Sequence, residues 1–180
     1  MKNFWLRYVP VFLIMLCLFS CQQTVQDTTK NDPVFKLPQL KPISEKIAND
    51  PSNAALYYQR GVLLHKMQKD TLALDDFNKA VKLDSTKAEY FSAIGDLMFE
   101  HKDLQGSVRW LAKAIQLNPN DPKAHLKLAK MQIFLKEYKT AFAEINTVLR
   151  QDAMNAEGYF LKGIIYKNLF DTTRSISSFL

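Results

Sequence analysis

Gly61, Gly95, Ala129 and Gly163 stand 34 residues apart, and further columns keep step with them. Ala73, Ser107, Ala141 and Ser175 form a second small-residue column. Tyr57, Phe91, His125 and Tyr159 form a large one. Phe77, Leu111, Ile145 and Phe179 form another, with Ala80, Ala114 and Val148 behind it, and Pro51, Ser85, Pro119 and Ala153 mark a recurring break. A fixed period of this length means stacked copies of one supersecondary unit, because a single unit cannot bury its own apolar face. Every later residue can therefore be read by its place within a unit.

Each unit reads as two helices. In "AEYFSAIGDLMFEH" (88–101) Phe91, Ile94, Gly95 and Met98 recur at i, i+3, i+4 and i+7, and in "LQGSVRWLAKAIQL" (104–117) Ser107, Leu111 and Ala114 do the same. Gly95 is predicted to face the second helix of its unit, and Ser107 and Ala114 to face the first. Only small side chains let two helix backbones approach until the large residues interlock around them. Thr86-Lys87-Ala88-Glu89 reads as a capping box opening the second unit. Asp121 before Pro122 reads as an N-cap with proline at the first helical position, and Asp103 and Asp171 as N-caps of second helices. Trp110 is expected to pack on the following unit.

The pattern resembles the tetratricopeptide repeat (TPR) family. The resemblance implies an all-α solenoid of antiparallel helix pairs, with units at 54–87, 88–121, 122–155 and, incompletely, 156–180. A capping segment at 38–53, centred on "PISEKIAN" (42–49), is expected to cover the first unit. Arg60 and Lys162 replace expected apolar residues, and His125 and Gln132 replace large aromatic or aliphatic ones, so units one, three and four are expected to be looser. Ile176, Phe179 and Leu180 would form an exposed apolar end face. The expectation is that the natural chain continues past Leu180, in which case this is the N-terminal TPR portion of a larger envelope protein with an enzymatic or sensory C-terminal part.

The N-terminus carries a different signal. Lys2 and Arg7 precede the apolar block 9–20, "VPVFLIMLCLFS". A helix of that length rises about 18 Å, short of the roughly 30 Å hydrocarbon core, so the block makes a poor spanning helix and a good export signal. Leu18-Phe19-Ser20-Cys21 resembles a bacterial lipobox. That resemblance implies a signal peptide at 1–20, a lipidated Cys21 that incorporates palmitate, and a lipoprotein in the cell envelope, at the outer membrane facing the periplasm. A plain secretory signal and an uncleaved anchor on a cytoplasmic TPR protein are the alternatives. Residues 21–37 are rich in Gln, Thr, Asp and Asn and read as a flexible tether. The net charge of +6 is mild once Lys2 and Arg7 are set aside, and it does not call for nucleic acid.

No motif in the chain carries chemistry. His65, His101 and His125 fall at different places in three units, so a zinc or general-base cluster is not expected, and His125 is expected to be a packed core residue. No Gly-rich phosphate loop and no nucleophile motif appears. The expectation is no catalytic residue, no metal and no cofactor. The family resemblance implies binding instead: first helices line a groove for a peptide or partner helix. By unit position the groove would include Tyr58, Val62, Asp96, Phe99, Lys123, Lys127, Lys130, Phe134 and Phe160. Lys123 and Lys127 match half of the family's two-carboxylate clamp, but Tyr58, Val62 and Ala93 do not match the rest. Lys123 shares its column with Glu89 and Glu157, and Lys130 with Asp96, so these are expected to pair across units. The column of Lys127 holds Gln59, Ala93 and Leu161, which makes it the lysine expected to be free for a partner.

Overall fold

A computed structural model describes residues 32–179, without the side chains of residues 172, 173, 175 and 179. The segment expected to be a signal, Cys17, Cys21, the side chain of Phe179 and the whole of Leu180 lie outside the described residues. Nine α-helices and no strand occur among those described. After a single 3-10 turn at Pro33–Lys36 come α1 (Lys41–Asn49), α2 (Ala54–Lys66), α3 (Asp70–Leu83), α4 (Ala88–Glu100), α5 (Leu104–Leu117), α6 (Pro122–Phe134), α7 (Tyr138–Gln151), α8 (Ala156–Asn168) and α9 (Thr172–Phe179). The pairs α2–α3, α4–α5, α6–α7 and α8–α9 are the repeated units, and each packs on the next to give a TPR-type solenoid. No helix among the described residues is long and apolar enough to cross a membrane.

The small columns sit where two helices meet. A methyl built on Gly61 would lie 2.6 Å from Phe77 Cε1, and one on Gly95 would lie 2.9 Å from Leu111 Cγ. Phe77 and Leu111 are buried, at 2% and 1% exposure. Ala73, Ala114, Ala129 and Ala141 are buried in the same layers. Ile94, Leu97, Ile145, Val148 and Ile165 fill the space between.

Both kinds of turn repeat as well. Where a first helix hands over to its second, one residue takes a left-handed backbone: Gln68 (φ 58°), Lys102 (φ 63°), Lys136 (φ 60°) and Phe170 (φ 59°). At each the hydrogen bonds are those of a Schellman motif. The Lys69 N–H donates to the Leu64 carbonyl at 2.9 Å, and the Asp103, Glu137 and Asp171 N–H groups do the same to Met98, Gln132 and Tyr166. Between units, Asp50, Asp84 and Asp152 accept from side chain or backbone two residues on. At the unit 2–3 junction Asp121 caps α6 by accepting from the Lys123 N–H at 2.9 Å, and Asp103 caps α5 by accepting from the Gly106 N–H at 2.8 Å. Asp171 accepts from the Arg174 N–H at 3.1 Å.

Several expectations need correction. The capping box at Thr86 does not form: α4 has Lys87 at its N-cap with no side-chain bond, because Thr86 turns back to donate to Asp84 Oδ1 at 2.6 Å. Trp110, expected on the following unit, has its ring 5.9 Å from that of Phe91 in its own unit and packs against the core shared by units one and two. Arg60 does not loosen the first unit. It is buried, its Nε and Nη2 donate to the two carboxylate oxygens of Asp76 at 2.7 Å, and its guanidinium lies 4.2 Å from the centre of the Phe35 ring. Burial of a bidentate, stacked guanidinium is what arginine geometry permits and lysine geometry does not. Phe35 is buried too, and Val34 packs beside it on the same core, so the stretch expected to be a tether ends before these two residues. His125 is buried and bound at both ring nitrogens, with Nε2 2.9 Å from the Pro119 carbonyl and Nδ1 2.5 Å from Glu144. It does for unit three what the Tyr57 hydroxyl does for unit one by donating to the Pro51 carbonyl at 3.2 Å. Gln132 is buried, and its Oε1 has no hydrogen-bond partner among the described residues, which costs stability. Lys162 is half-buried, with its ammonium 5.9 Å from the Tyr159 ring.

Candidate partner-binding groove

The first helices α2, α4, α6 and α8 lie side by side and leave clefts between them. A cleft of about 400 Å³ opens between α2, α4 and α6, and its walls include Tyr58, Val62, Asp96, Phe99 and Lys127. A shallower neighbour of about 220 Å³ shares Tyr58, Asp96 and Lys127 and adds Glu89 and Lys123. A third, of about 760 Å³, lies between α6 and α8 and is lined by Lys130, Phe134, Phe160 and Ile164. Phe99 links the two areas, its ring 5.7 Å from that of Phe134. The nine groove residues expected from unit position thus fall into two neighbouring areas, Tyr58 through Lys127 at one end and Lys130, Phe134 and Phe160 at the other.

Their chemistry differs along the groove. Phe134 and Phe160 are 57% and 55% exposed, an unusual display for large apolar side chains. Phe170, at the left-handed position of the fourth unit, stands beside them on the rim. Tyr58 faces inward, 5.0 Å from the Tyr90 ring and 5.9 Å from that of Phe77. Burial, then the carboxylates of Glu89 and Asp96, push its phenol up from the ordinary value, so it stays a protonated donor at neutral pH.

The expectation for the lysines is overturned. Lys127 is not free: its ammonium donates to Asp96 Oδ2 at 2.6 Å and reaches Ser92 Oγ at 3.4 Å. Lys130 lies over the Phe99 ring at 5.6 Å and not against Asp96. Lys123 is exposed, and among the described residues no carboxylate lies within ion-pair distance of its ammonium. Residues of adjacent first helices do not meet by column. The helix of the next unit is set over, and its side chains lean toward its N-terminus, so Lys127 drops between Ser92 and Asp96 and not onto Ala93.

A second expectation fails at the histidines. His65 and His101 come together around Asp70, with His65 Nδ1 2.9 Å from Oδ1 and His101 Nε2 3.0 Å from Oδ2. Glu100 Oε1 is 3.4 Å from His65 Nε2. The Asp70 hydrogen bond raises the His65 ring above its ordinary value; burial opposes it, and the charges of Glu100 and Asp70 add to the rise. The His65 hydrogen bond, followed by that of His101, lowers the Asp70 carboxyl. Unit position alone could not reveal this group, because its members sit at the end of one helix, the start of the next and the end of the following first helix.

A stack of paired helices with an open groove along its first helices defines the class: a TPR-type protein-interaction scaffold. Residues 54–87 match the tetratricopeptide repeat family model, which supports that family for the chain. Among solved structures the fold is similar to that of MamA, with a TM-score of 0.71 at 21% identity over 77% of this chain and 81% of that one. It is also similar to pilF of Pseudomonas aeruginosa, with a TM-score of 0.64 at 20% identity over 81% of this chain and 68% of that one. The DnaJ protein P58IPK homolog B of Oryza sativa subsp. japonica is 24% identical over 89% of this chain, which spans 40% of that relative's length.

Proposed function

We propose that this chain is a lipid-anchored adaptor of the cell envelope that holds peptide or helical segments of partner proteins in its groove and supports assembly of an envelope complex. The observation that carries the binding half is the exposed pair Phe134 and Phe160 over a cleft of about 760 Å³, with Lys130 on its wall. An amphipathic helix or extended peptide buries its apolar side chains in such a groove and leaves its charges at the rim. The anchoring half is supported by the sequence alone, by Lys2 and Arg7, the apolar block 9–20 and Leu18-Phe19-Ser20-Cys21. Two or more acyl chains on Cys21 would hold the protein stably at a membrane, where one would not.

Each half has its own test. Labelled palmitate should enter the wild-type chain and not Cys21→Ser, which should also accumulate as unprocessed precursor. Maturation of Cys21→Ser with continued sedimentation in the membrane fraction would refute the anchor. For the groove, a photo-crosslinking residue at Phe134 or Lys123 should capture the same envelope protein, and one at Lys113 on the second helix α5 should not. Equal capture from all three positions would refute the groove.

A further inference from the structure

His65, Asp70, Glu100 and His101 come from three elements that belong to two units. His65 lies in the last turn of α2, Asp70 is the first residue of α3, and Glu100 and His101 close α4. Ligand atoms of His65, Asp70 and Glu100 all lie within 4.8 Å of one another. His101 adds a fourth donor 3.0 Å from Asp70. We propose that these residues bind a Zn²⁺ ion, with His65, Asp70 and Glu100 as ligands and His101 as the fourth, and that the ion clamps the first unit to the second.

Charge is the first reason. Two carboxylates converge on two imidazoles, and no lysine or arginine forms an ion pair with either acid among the described residues. A neutral imidazole offers one N–H and one lone pair. His65 faces a carboxylate at each nitrogen, so in the neutral form one lone pair points at an anion. The cluster therefore needs positive charge at its centre. A proton supplies one unit, and a divalent cation supplies the two that match Asp70 and Glu100.

Ligand type and distance are the second. Mixed imidazole and carboxylate donors suit Zn²⁺ and its transition-metal neighbours, whereas Mg²⁺ and Ca²⁺ select oxygen sets. Bonds of about 2.0–2.1 Å in a tetrahedron put ligand atoms about 3.3 Å apart. The His65 Nε2 to Glu100 Oε1 distance is already 3.4 Å. With His65 Nε2 as the ligand atom, Asp70 must turn from Nδ1 toward the ion, and the other pairs close by rotation of Glu100 and His101, whose side chains are 52% and 57% exposed. That exposure is also the entry path. Glu100 and His65 line the cleft of about 400 Å³, so an ion there would fix the spacing of α2 and α4 along the groove wall.

The test uses the full chain without an affinity-tag histidine, with Cys17→Ser and Cys21→Ser so that thiols do not compete. Calorimetric titration with Zn²⁺ should give one ion per chain, and Co²⁺ should give the visible absorption of a tetrahedral nitrogen–oxygen site. Glu100→Gln, at an exposed position, should weaken Zn²⁺ binding at least tenfold without changing the circular dichroism. His65→Gln should do the same, and Glu89→Gln should change nothing. Zn²⁺ should raise the melting temperature of the parent and not of Glu100→Gln. No binding, undiminished affinity in Glu100→Gln, or equally tight binding of Mg²⁺ would each overturn the assignment.

Discussion

The close approach at Gly61 sets up a quantitative test. A methyl there would sit 2.6 and 2.7 Å from two ring carbons of Phe77 and 3.2 Å from the Ala73 carbonyl oxygen. Ordinary carbon–carbon contact is about 3.5–4.0 Å, so the ring must retreat by about 1 Å. Phe77 is 2% exposed and packed in the core, with one edge on the cleft of about 400 Å³, so the ring can shift only by giving up core contacts. Overpacking of this kind costs about 1–3 kcal/mol. Alanine is the better helix former by about 1 kcal/mol, which offsets part of it. Gly61→Ala is therefore expected to lose up to about 2 kcal/mol, read from urea unfolding at constant m-value. Gly158 is the control. Its methyl would meet Leu149 Cδ2 at 3.1 Å and Asn155 Oδ1 at 3.4 Å, the first a flexible side-chain end. Gly158→Ala should be neutral or stabilising by up to about 1 kcal/mol. The third unit already shows the remedy, since Ala129 there stands in register with Ile145 and not with a phenylalanine. Phe77→Leu should accordingly cost less in the Gly61→Ala background than in the parent. A Gly61→Ala protein more stable than the parent by the full helix-propensity gain of about 1 kcal/mol, or a Phe77→Leu change that costs the same in both backgrounds, would refute the claim that these two columns interlock.

Ser107 is fully buried and its hydroxyl has no hydrogen-bond partner among the described residues, in a column where Ala73 and Ala141 are its counterparts, so Ser107→Ala should raise stability by about 1 kcal/mol in the same unfolding assay. Lys123→Glu should weaken partner binding in a crosslinking or titration assay and leave the melting temperature unchanged. Lys127→Glu should also cost up to about 1 kcal/mol of stability, because it breaks an ion pair with Asp96 that is half-exposed. The Asp84 carboxyl is held below its ordinary value by hydrogen bonds from the Thr86 side chain and backbone. A lowered carboxylate stabilises the fold above its unfolded pKa of about 4 and loses that contribution as pH falls through the folded value. Asp84→Asn, which copies Asn118 in the same column, should therefore lower neutral-pH stability slightly and make the acid decline shallower.

The helix pairs could be read in the sequence because the 34-residue period and its small columns are produced by packing itself. Gly61 and Gly95 are small because Phe77 and Leu111 leave no room, so the pattern and the contact are one fact. The turns were harder. The left-handed positions hold Gln68, Lys102, Lys136 and Phe170, and no glycine marks them. The Asp50, Asp84, Asn118 and Asp152 column did carry a signal, one residue before the break at Pro51 and its counterparts. The groove was legible as a set of residues and not as a set of pairs. Column counting assumes that equal positions touch, and Lys127 with Asp96 shows that adjacent first helices are offset. The Arg60–Asp76 pair was hidden for another reason: a charged residue at an apolar position looks like a defect until its partner on the next helix is seen.

Among the described residues, every extensive helix contact joins members of the same unit or of adjacent ones. The turns between them are closed by their own short-range hydrogen bonds. No part of this fold has to wait for a distant stretch of chain. Topologies built from nearby pairings lose little loop entropy before contacts form, and they fold fast. A chain emerging N-terminus first, from a ribosome or through a membrane, can set α1, α2 and α3 around Leu64 and Phe77 before the residues of α8 appear. Each later unit then docks on a finished template. Synthesis and folding can run in the same direction and at the same pace, which shortens the time that Phe134 and Phe160 spend among unfolded neighbours.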